Sequence, residues 1–83
     1  MSTTLANGPI LSDDELAAMD AYKMAKVEAA RMIQKGAIFT GAFGVARNLG
    51  LTDGTLAWDF AVQGAMSVFT EAHIIIDKEC RIV

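Results

Sequence analysis

A long charge-poor segment is the feature that most constrains this chain. Residues 36–76 carry only four full charges, at Arg47, Asp53, Asp59 and Glu71. An ordinary soluble surface has about a quarter of its positions charged, so much of this segment must be covered by other protein. The segment therefore predicts a buried core, a contact with another chain, or both.

The small size of the chain strengthens this expectation. A single domain of 83 residues buries only roughly 60–65% of the surface of its unfolded chain. Small domains usually gain stability from disulfides, metals or partner chains. The one cysteine, Cys80, excludes an intramolecular disulfide and a cysteine-cluster zinc site. Because 53% of the residues are hydrophobic, we expect protein partners to complete the structure.

A first helix is predicted from Ser12 to Lys35. The run from Ser12 to Glu15 has the pattern of a capping box, its acidic residues suit the positive end of the helix dipole, and Gly36 can end the helix. Residues 1–11, which are small and polar, are expected to form a flexible arm before a single helical domain over residues 12–83. At 100° per residue, one half of the helix is apolar: Ala18, Met19, Ala21, Tyr22, Ala25, Ala29, Ala30, Met32 and Ile33.

Two further helices are predicted. A short, glycine-rich apolar helix is expected over residues 38–49 with Gly50 as its C-cap glycine. Thr52 and Asp53 then provide a cap for a long third helix. Its apolar residues are spaced as in a coiled coil, and we call them the apolar seam: Trp58, Val62, Ala65, Phe69, Ala72 and Ile76.

The end of the chain has two interpretations. Continuation of the apolar seam favours a third helix that extends to the C-terminus, whereas the β-branched run before Asp77 and the alternation after it are typical of an edge strand. The fold class is therefore all-α, a small three-helix domain, with a short strand as the alternative for residues 73–83.

Convergent catalytic groups are not apparent in the sequence. His73 and Glu71 would lie on different sides of a helix, and no third metal ligand accompanies them. Cys80 has no recognisable partner base and is expected to be a small buried side chain. We therefore expect no catalytic residues, no metal site and no cofactor, although the chain would suit an accessory subunit of an enzyme complex.

Residues 45–60 resemble the helix-turn-helix of transposase-type and repressor-type DNA-binding domains. Ala46 would pack at the end of the first helix, Gly50 would form the turn, and Leu56 would lie inside the second helix. The resemblance implies a DNA-binding module over residues 45–63.

The charges of this segment differ from those of a typical recognition helix. Such a helix reads DNA with Arg, Lys, Asn or Gln, but the corresponding positions here offer two acids and only one amide, Gln63. No basic residue lies between Arg47 and Lys78, and the net charge of the chain is −3. Two helices of a bundle joined by a tight turn explain the same pattern, and nucleic acid is not the favoured partner.

A membrane location is the third alternative. Residues 36–46 and 60–70 are uncharged, but each run would give about 16 Å of helix against the roughly 30 Å of a bilayer core. A spanning hairpin is not expected, and a membrane-associated small subunit remains as an alternative. The N-terminal residues do not have the pattern of a secretory signal, so a cytoplasmic location is expected.

The favoured interpretation is a non-catalytic structural or interaction protein. It would assemble through residues 36–76, either with copies of itself or with a larger protein partner. The predicted interaction surface consists of Ile38, Phe39, Phe43, Trp58, Val62, Ala65, Phe69, Ala72 and Ile76.

Overall fold

The computed structural model describes residues 11–36 and 40–83 and contains three helices in this part of the chain. They are α1 (Asp13–Lys35), α2 (Gly41–Asn48) and α3 (Leu56–Glu71). The all-α fold class with a long first helix, a short second helix and a long third helix is therefore confirmed. The expected N-terminal arm lies almost entirely outside the described residues.

Helix α1 begins and ends where the sequence predicts. The side chain of Ser12 accepts a hydrogen bond from the backbone N–H of Glu15, and the Glu15 carboxylate accepts one from the backbone N–H of Ser12. The hydrogen bond from the backbone N–H of Ser12 to the carboxylate is the main cause that holds the pKa of Glu15 below its usual value, and the Ser12 side chain lowers this pKa further. Gly36 ends the helix in the left-handed conformation, with φ 68°.

Helix α2 is shorter than predicted: it ends at Asn48 with Leu49 as its C-cap, and Gly50 follows in the predicted turn. It begins at Gly41, and residues 37–39 lie outside the described part of the chain. At its end, the N–H of Gly50 donates to the carbonyl of Arg47 and the N–H of Leu51 donates to that of Ala46. With Gly50 at φ 76°, this is a Schellman motif, which turns the chain towards α3.

The N-cap of α3 is Thr55, not the predicted Thr52–Asp53 pair. The Thr55 hydroxyl accepts from the backbone N–H of Trp58 at 3.1 Å and donates to the carbonyl of Thr52 at 2.7 Å. Thr52 thus stabilises the cap through its backbone, while Asp53 lies in the exposed turn before it.

Helix α3 ends at Glu71, so the predicted continuation of a helix to the C-terminus is wrong. His73 adopts φ 60°, its N–H donates to the carbonyl of Thr70, and the N–H of Ile74 donates to that of Phe69. This second Schellman motif turns the chain out of the helix. The half-buried Ile74 packs against the core, which offsets the cost of a left-handed conformation at a residue other than glycine.

Residues 74–83 form a hairpin-like loop with a single antiparallel bridge between Ile76 and Ile82. The loop is docked on the start of α2, where the N–H of Ala42 donates to the carbonyl of Cys80 at 2.7 Å. A Cβ atom on Gly41 would collide with that same carbonyl. Glycine is therefore required at this contact, which also has φ 65°.

Small residues allow α1 and α3 to pack closely. The apolar stripe of α1 contains four alanines that are at most 4% exposed, and it faces the similarly small Ala61, Gly64 and Ala65 of α3. A Cβ atom on Gly64 would stand 2.6 Å from the backbone oxygen of Tyr22, so the two backbones come close together here. The members of the α1 stripe are Ala18, Ala21, Ala25 and Ala29.

Candidate interaction surface

Most of the apolar seam faces the core of its own chain. Trp58, Val62, Ala65 and Phe69 are between 0% and 8% exposed and contribute to one cluster with the alanine stripe of α1 and with α2. Helices α1 and α2 already cover these four side chains. The four side chains therefore offer no surface to a partner in this structure. They belong to the intramolecular core, and their role in an interface stays a prediction.

The remaining predicted interface residues are dispersed. Phe43 is half-buried and its ring is inclined at 56° to that of Trp58, with 5.7 Å between centroids. Ala72 is exposed at the end of α3, and Ile76 is half-buried in the C-terminal loop. Ile38 and Phe39 lie outside the described residues.

The exposed apolar surface lies elsewhere, on the outside of the helices and on the C-terminal loop. The large apolar side chains with the highest exposure among the described residues are Met19 (44%), Met24 (50%), Val27 (62%), Leu56 (42%), Ile75 (73%) and Val83 (82%). Three of the six belong to α1. Single exposed apolar residues are normal on proteins, so the question is which of these form a continuous surface.

One apolar groove runs between α1 and α3. It has a volume of about 260 Å³ and is bordered by Met19, Tyr22, Lys23, Phe60 and Gln63. The ammonium group of Lys26 lies 5.7 Å from the centre of the Tyr22 ring, within the distance of a cation–π contact.

A second apolar groove lies on the other side of α1. Met24 and Val27 form it together with the half-buried Leu49, and Glu28 and Arg31 form its charged border with Lys23. The sequence interpretation did not include Met24 or Val27 in any interface. The sequence does indicate that these two residues lie away from the core. On a helical projection at 100° per residue, Val27 falls nearly opposite the alanine stripe and Met24 falls well outside it.

The C-terminal loop is organised by Asp77. Its carboxylate accepts hydrogen bonds at 2.9 Å from the backbone N–H groups of Glu79 and Arg81 and at 3.2 Å from Nε of Arg81. The backbone N–H of Arg81 is the main cause that holds the pKa of Asp77 below its usual value. This network shapes the turn that presents the Cys80 carbonyl to α2.

The chemistry of the described residues is limited. They contain no group of three or more His, Cys, Asp or Glu side chains arranged to hold a metal ion. The Cys80 thiol is buried and lies 3.4 Å from the sulfur of Met66. Burial raises the pKa of this thiol, which disfavours the reactive thiolate.

The segment that resembles a helix-turn-helix forms two helices of the bundle. Ala46 is fully buried at the end of α2 and Gly50 forms the turn, but Leu56 is the first residue of α3 and is 42% exposed, so it does not pack in the interior of the bundle. The charged side chains of α3 are those of Asp59 and Glu71. A duplex would therefore meet only acidic groups on this helix, which phosphate groups repel.

Comparisons with protein-family models, curated proteins and solved structures gave no match. Within residues 11–36 and 40–83, no helix combines the length and the apolar character needed to cross a bilayer.

Proposed function

We propose that this chain is a non-catalytic interaction protein, a small helical subunit that acts by binding a second copy of itself or a larger protein. The observation that carries the proposal is the exposure of large apolar side chains on the outside of α1, where Met24 and Val27 are 50% and 62% exposed within one groove. Exposed apolar patches with charged borders are typical of protein–protein contacts.

The distribution of small and large residues supports this proposal. α1 uses alanines for its closest intramolecular contact with α3, whereas the large, flexible Met24 lies on its outer side beside Val27. Methionine side chains adapt to an opposing surface and are common at binding faces. The expected binding surface is therefore on α1 and not within residues 36–76, whose largest apolar side chains contribute to the core.

The state of Cys80 bears on where the protein acts. Its thiol is unpaired, buried and next to the Met66 sulfur, and no second cysteine exists in the sequence. Stability that does not depend on a disulfide suits a reducing compartment, and the proposal places the protein in the cytoplasm.

Site-specific photocrosslinking in cells tests the proposal. A photoreactive amino acid is introduced singly at Val27, at Met19 or at the exposed Lys78, which lies in the polar turn of the C-terminal loop. We expect defined crosslinked products from the two α1 positions and none from Lys78. If all three positions give the same faint background, the proposal of an interaction protein is wrong.

A further inference from the structure

The outer side of α1 carries a row of residues with heptad spacing. The row includes Met24 and Val27 and continues from them towards both ends of the helix. Its six members are separated alternately by three and four residues, as in the seam of a coiled coil, and each is exposed. We call this row the outer stripe: Ala17, Asp20, Met24, Val27, Arg31 and Gln34.

The outer stripe is complementary to itself when a second helix runs in the opposite direction. If Met24 of each copy faces Val27 of the other, the same register places Asp20 opposite Arg31 and Ala17 opposite Gln34. An interface with a two-fold axis makes every such contact twice, so the register contains two Asp–Arg pairs, one on each side of an apolar centre.

The charges beside the outer stripe agree with this register. Asp14 and Lys35 lie near opposite ends of α1 and are both exposed, and the antiparallel arrangement brings Asp14 of one copy towards Lys35 of the other. A parallel arrangement would instead place Asp20 against Asp20 and Arg31 against Arg31, and such like-charge pairs are unfavourable.

We propose that the outer stripe is a homodimer interface in which two copies of α1 pack antiparallel about a two-fold axis between Met24 and Val27. This inference rests on the proposed function and names its partner, a second copy of this chain. The half-buried Leu49 borders the same groove and adds apolar area at its edge. The Glu28–Arg31 pair, at 3.9 Å with the Arg31 side chain 60% exposed, is loose enough to leave Arg31 available to the second copy.

The interface is small and its affinity is expected to be moderate. The outer stripe extends over about 27 Å of helix, and four of its six positions are polar or small, which lowers coiled-coil stability. Contacts of this size bury less than about 1,200 Å² and are typical of reversible association. The dimer should therefore form and dissociate with concentration in the micromolar range.

Sedimentation equilibrium of the purified full chain from about 1 µM to 1 mM tests the proposal. The wild-type protein is expected to double its apparent mass from 8.9 kDa across this range. Asp20→Arg makes both members of each pair basic, and Arg31→Asp makes both acidic, so each variant should bind itself at least tenfold more weakly. Glu71→Arg is the matched control for Asp20→Arg, since it makes the same charge change at an exposed position on α3, and Arg47→Asp at an exposed position on α2 is the matched control for Arg31→Asp.

The weakening in the single variants and its rescue in the double variant Asp20→Arg/Arg31→Asp together identify the orientation. The double variant restores opposite charges in the antiparallel register and should dimerise as the wild type does. In a parallel register each position faces its own copy, so the single variants leave the number of like-charge pairs unchanged and there is no weakening to rescue. An equimolar mixture of the two single variants should also form a mixed dimer. Far-UV circular dichroism verifies that each variant is folded, as expected for changes at exposed positions.

The outcomes separate this inference from the proposed function. A wild-type chain that remains monomeric, or a dimer that is not sensitive to Asp20 and Arg31, overturns the antiparallel interface. Crosslinks from Val27 or Met19 to a different protein would then still support an interaction protein. Absence of both dimer and crosslinks contradicts both proposals.

Discussion

Gly64 provides the most direct test of the packing between α1 and α3. Its position in the middle of a helix suggests that Gly64→Ala should stabilise the protein by about 1 kcal/mol through helix propensity. The structure predicts the opposite. The new Cβ atom would stand 2.6 Å from the backbone oxygen of Tyr22, closer than real Cβ atoms approach, and a carbonyl within a continuous helix cannot move aside by rotamer change.

The expected loss follows from the two opposing effects. Inserting a methyl group into a well-packed core costs typically 1–3 kcal/mol, and Ala61 and Ala65 beside it are fully buried, so α1 and α3 must separate to admit it. Because the obstructing atom belongs to the backbone, the cost should lie in the upper part of this range, about 2–3 kcal/mol, and subtracting the gain in helix propensity of about 1 kcal/mol leaves a net loss of about 1–2 kcal/mol. For a domain of this size the melting temperature should fall by roughly 4–15 °C.

This loss of stability is measured by thermal and urea unfolding. Both are monitored by far-UV circular dichroism at a protein concentration below that of dimer formation. Ser67→Ala and Ser67→Gly one turn further along α3 are matched controls, because their difference gives the helix propensity of this helix without the contact to Tyr22. A Gly64→Ala variant that is as stable as the wild type, or more stable, would refute the close approach of the two backbones.

Three further predictions concern the core, the C-terminal loop and pH. Phe69→Ala removes a fully buried ring and should cost about 3–5 kcal/mol, whereas Gln63→Ala at an exposed position should change stability by less than about 0.5 kcal/mol; both are measured by urea unfolding. Gly41→Ala should detach the C-terminal loop from α2, because its Cβ atom would collide with the Cys80 carbonyl, and labelling of the Cys80 thiol should become faster. The pKa of Asp77 is lowered in the folded protein, so its stabilising effect is present above the unfolded pKa of about 3.9 and is lost as pH falls through the folded pKa.

The pH dependence that Asp77 causes must be measured with a local probe. Glu15 also has a lowered pKa, so a measurement of overall stability against pH would contain the effects of both carboxylates. The amide resonance of Ala42, whose N–H donates to the Cys80 carbonyl, should shift as the Asp77 carboxylate is protonated, and Asp77→Asn should remove that dependence. Unchanged Ala42 resonances through this pH range would show that the carboxylate does not organise the loop.

The other two predictions also have results that would contradict them. Slow labelling of the Cys80 thiol in Gly41→Ala would contradict the contact between the loop and α2, and equal stability of Phe69→Ala and Gln63→Ala would contradict the burial of Phe69.

The all-α class and the bounds of α1 were predictable because their signals are local. A capping box joins residues three apart, and a glycine in the left-handed conformation ends a helix through hydrogen bonds within its last turn. Ser12, Gly36 and Gly50 therefore act almost independently of the rest of the fold. At the start of α3 the local pattern predicts Thr52–Asp53 as the cap, but several cap-forming residues stand close together there, and the cap is Thr55.

The end of α3 depended on tertiary contacts. A left-handed His73 is unfavourable by itself, and the β-branched residues that follow suit more than one conformation. Packing of Ile74 against the core and the hydrogen bond from Ala42 to Cys80 favour the loop over a longer helix. Both contacts join residues far apart in the sequence, so no local pattern reveals them.

The charge-poor segment, residues 36–76, shows the same difference between what the sequence predicts and what the tertiary contacts decide. Composition alone indicated that much of residues 36–76 must be covered, and periodicity showed that Trp58, Val62, Ala65 and Phe69 share a face. Only the tertiary structure decided that α1 and α2 of the same chain cover them. It also left Met24 and Val27, on the far side of α1, as the exposed apolar surface. A helical pattern specifies which residues lie together, but the partner of that face depends on how the helices pack in three dimensions.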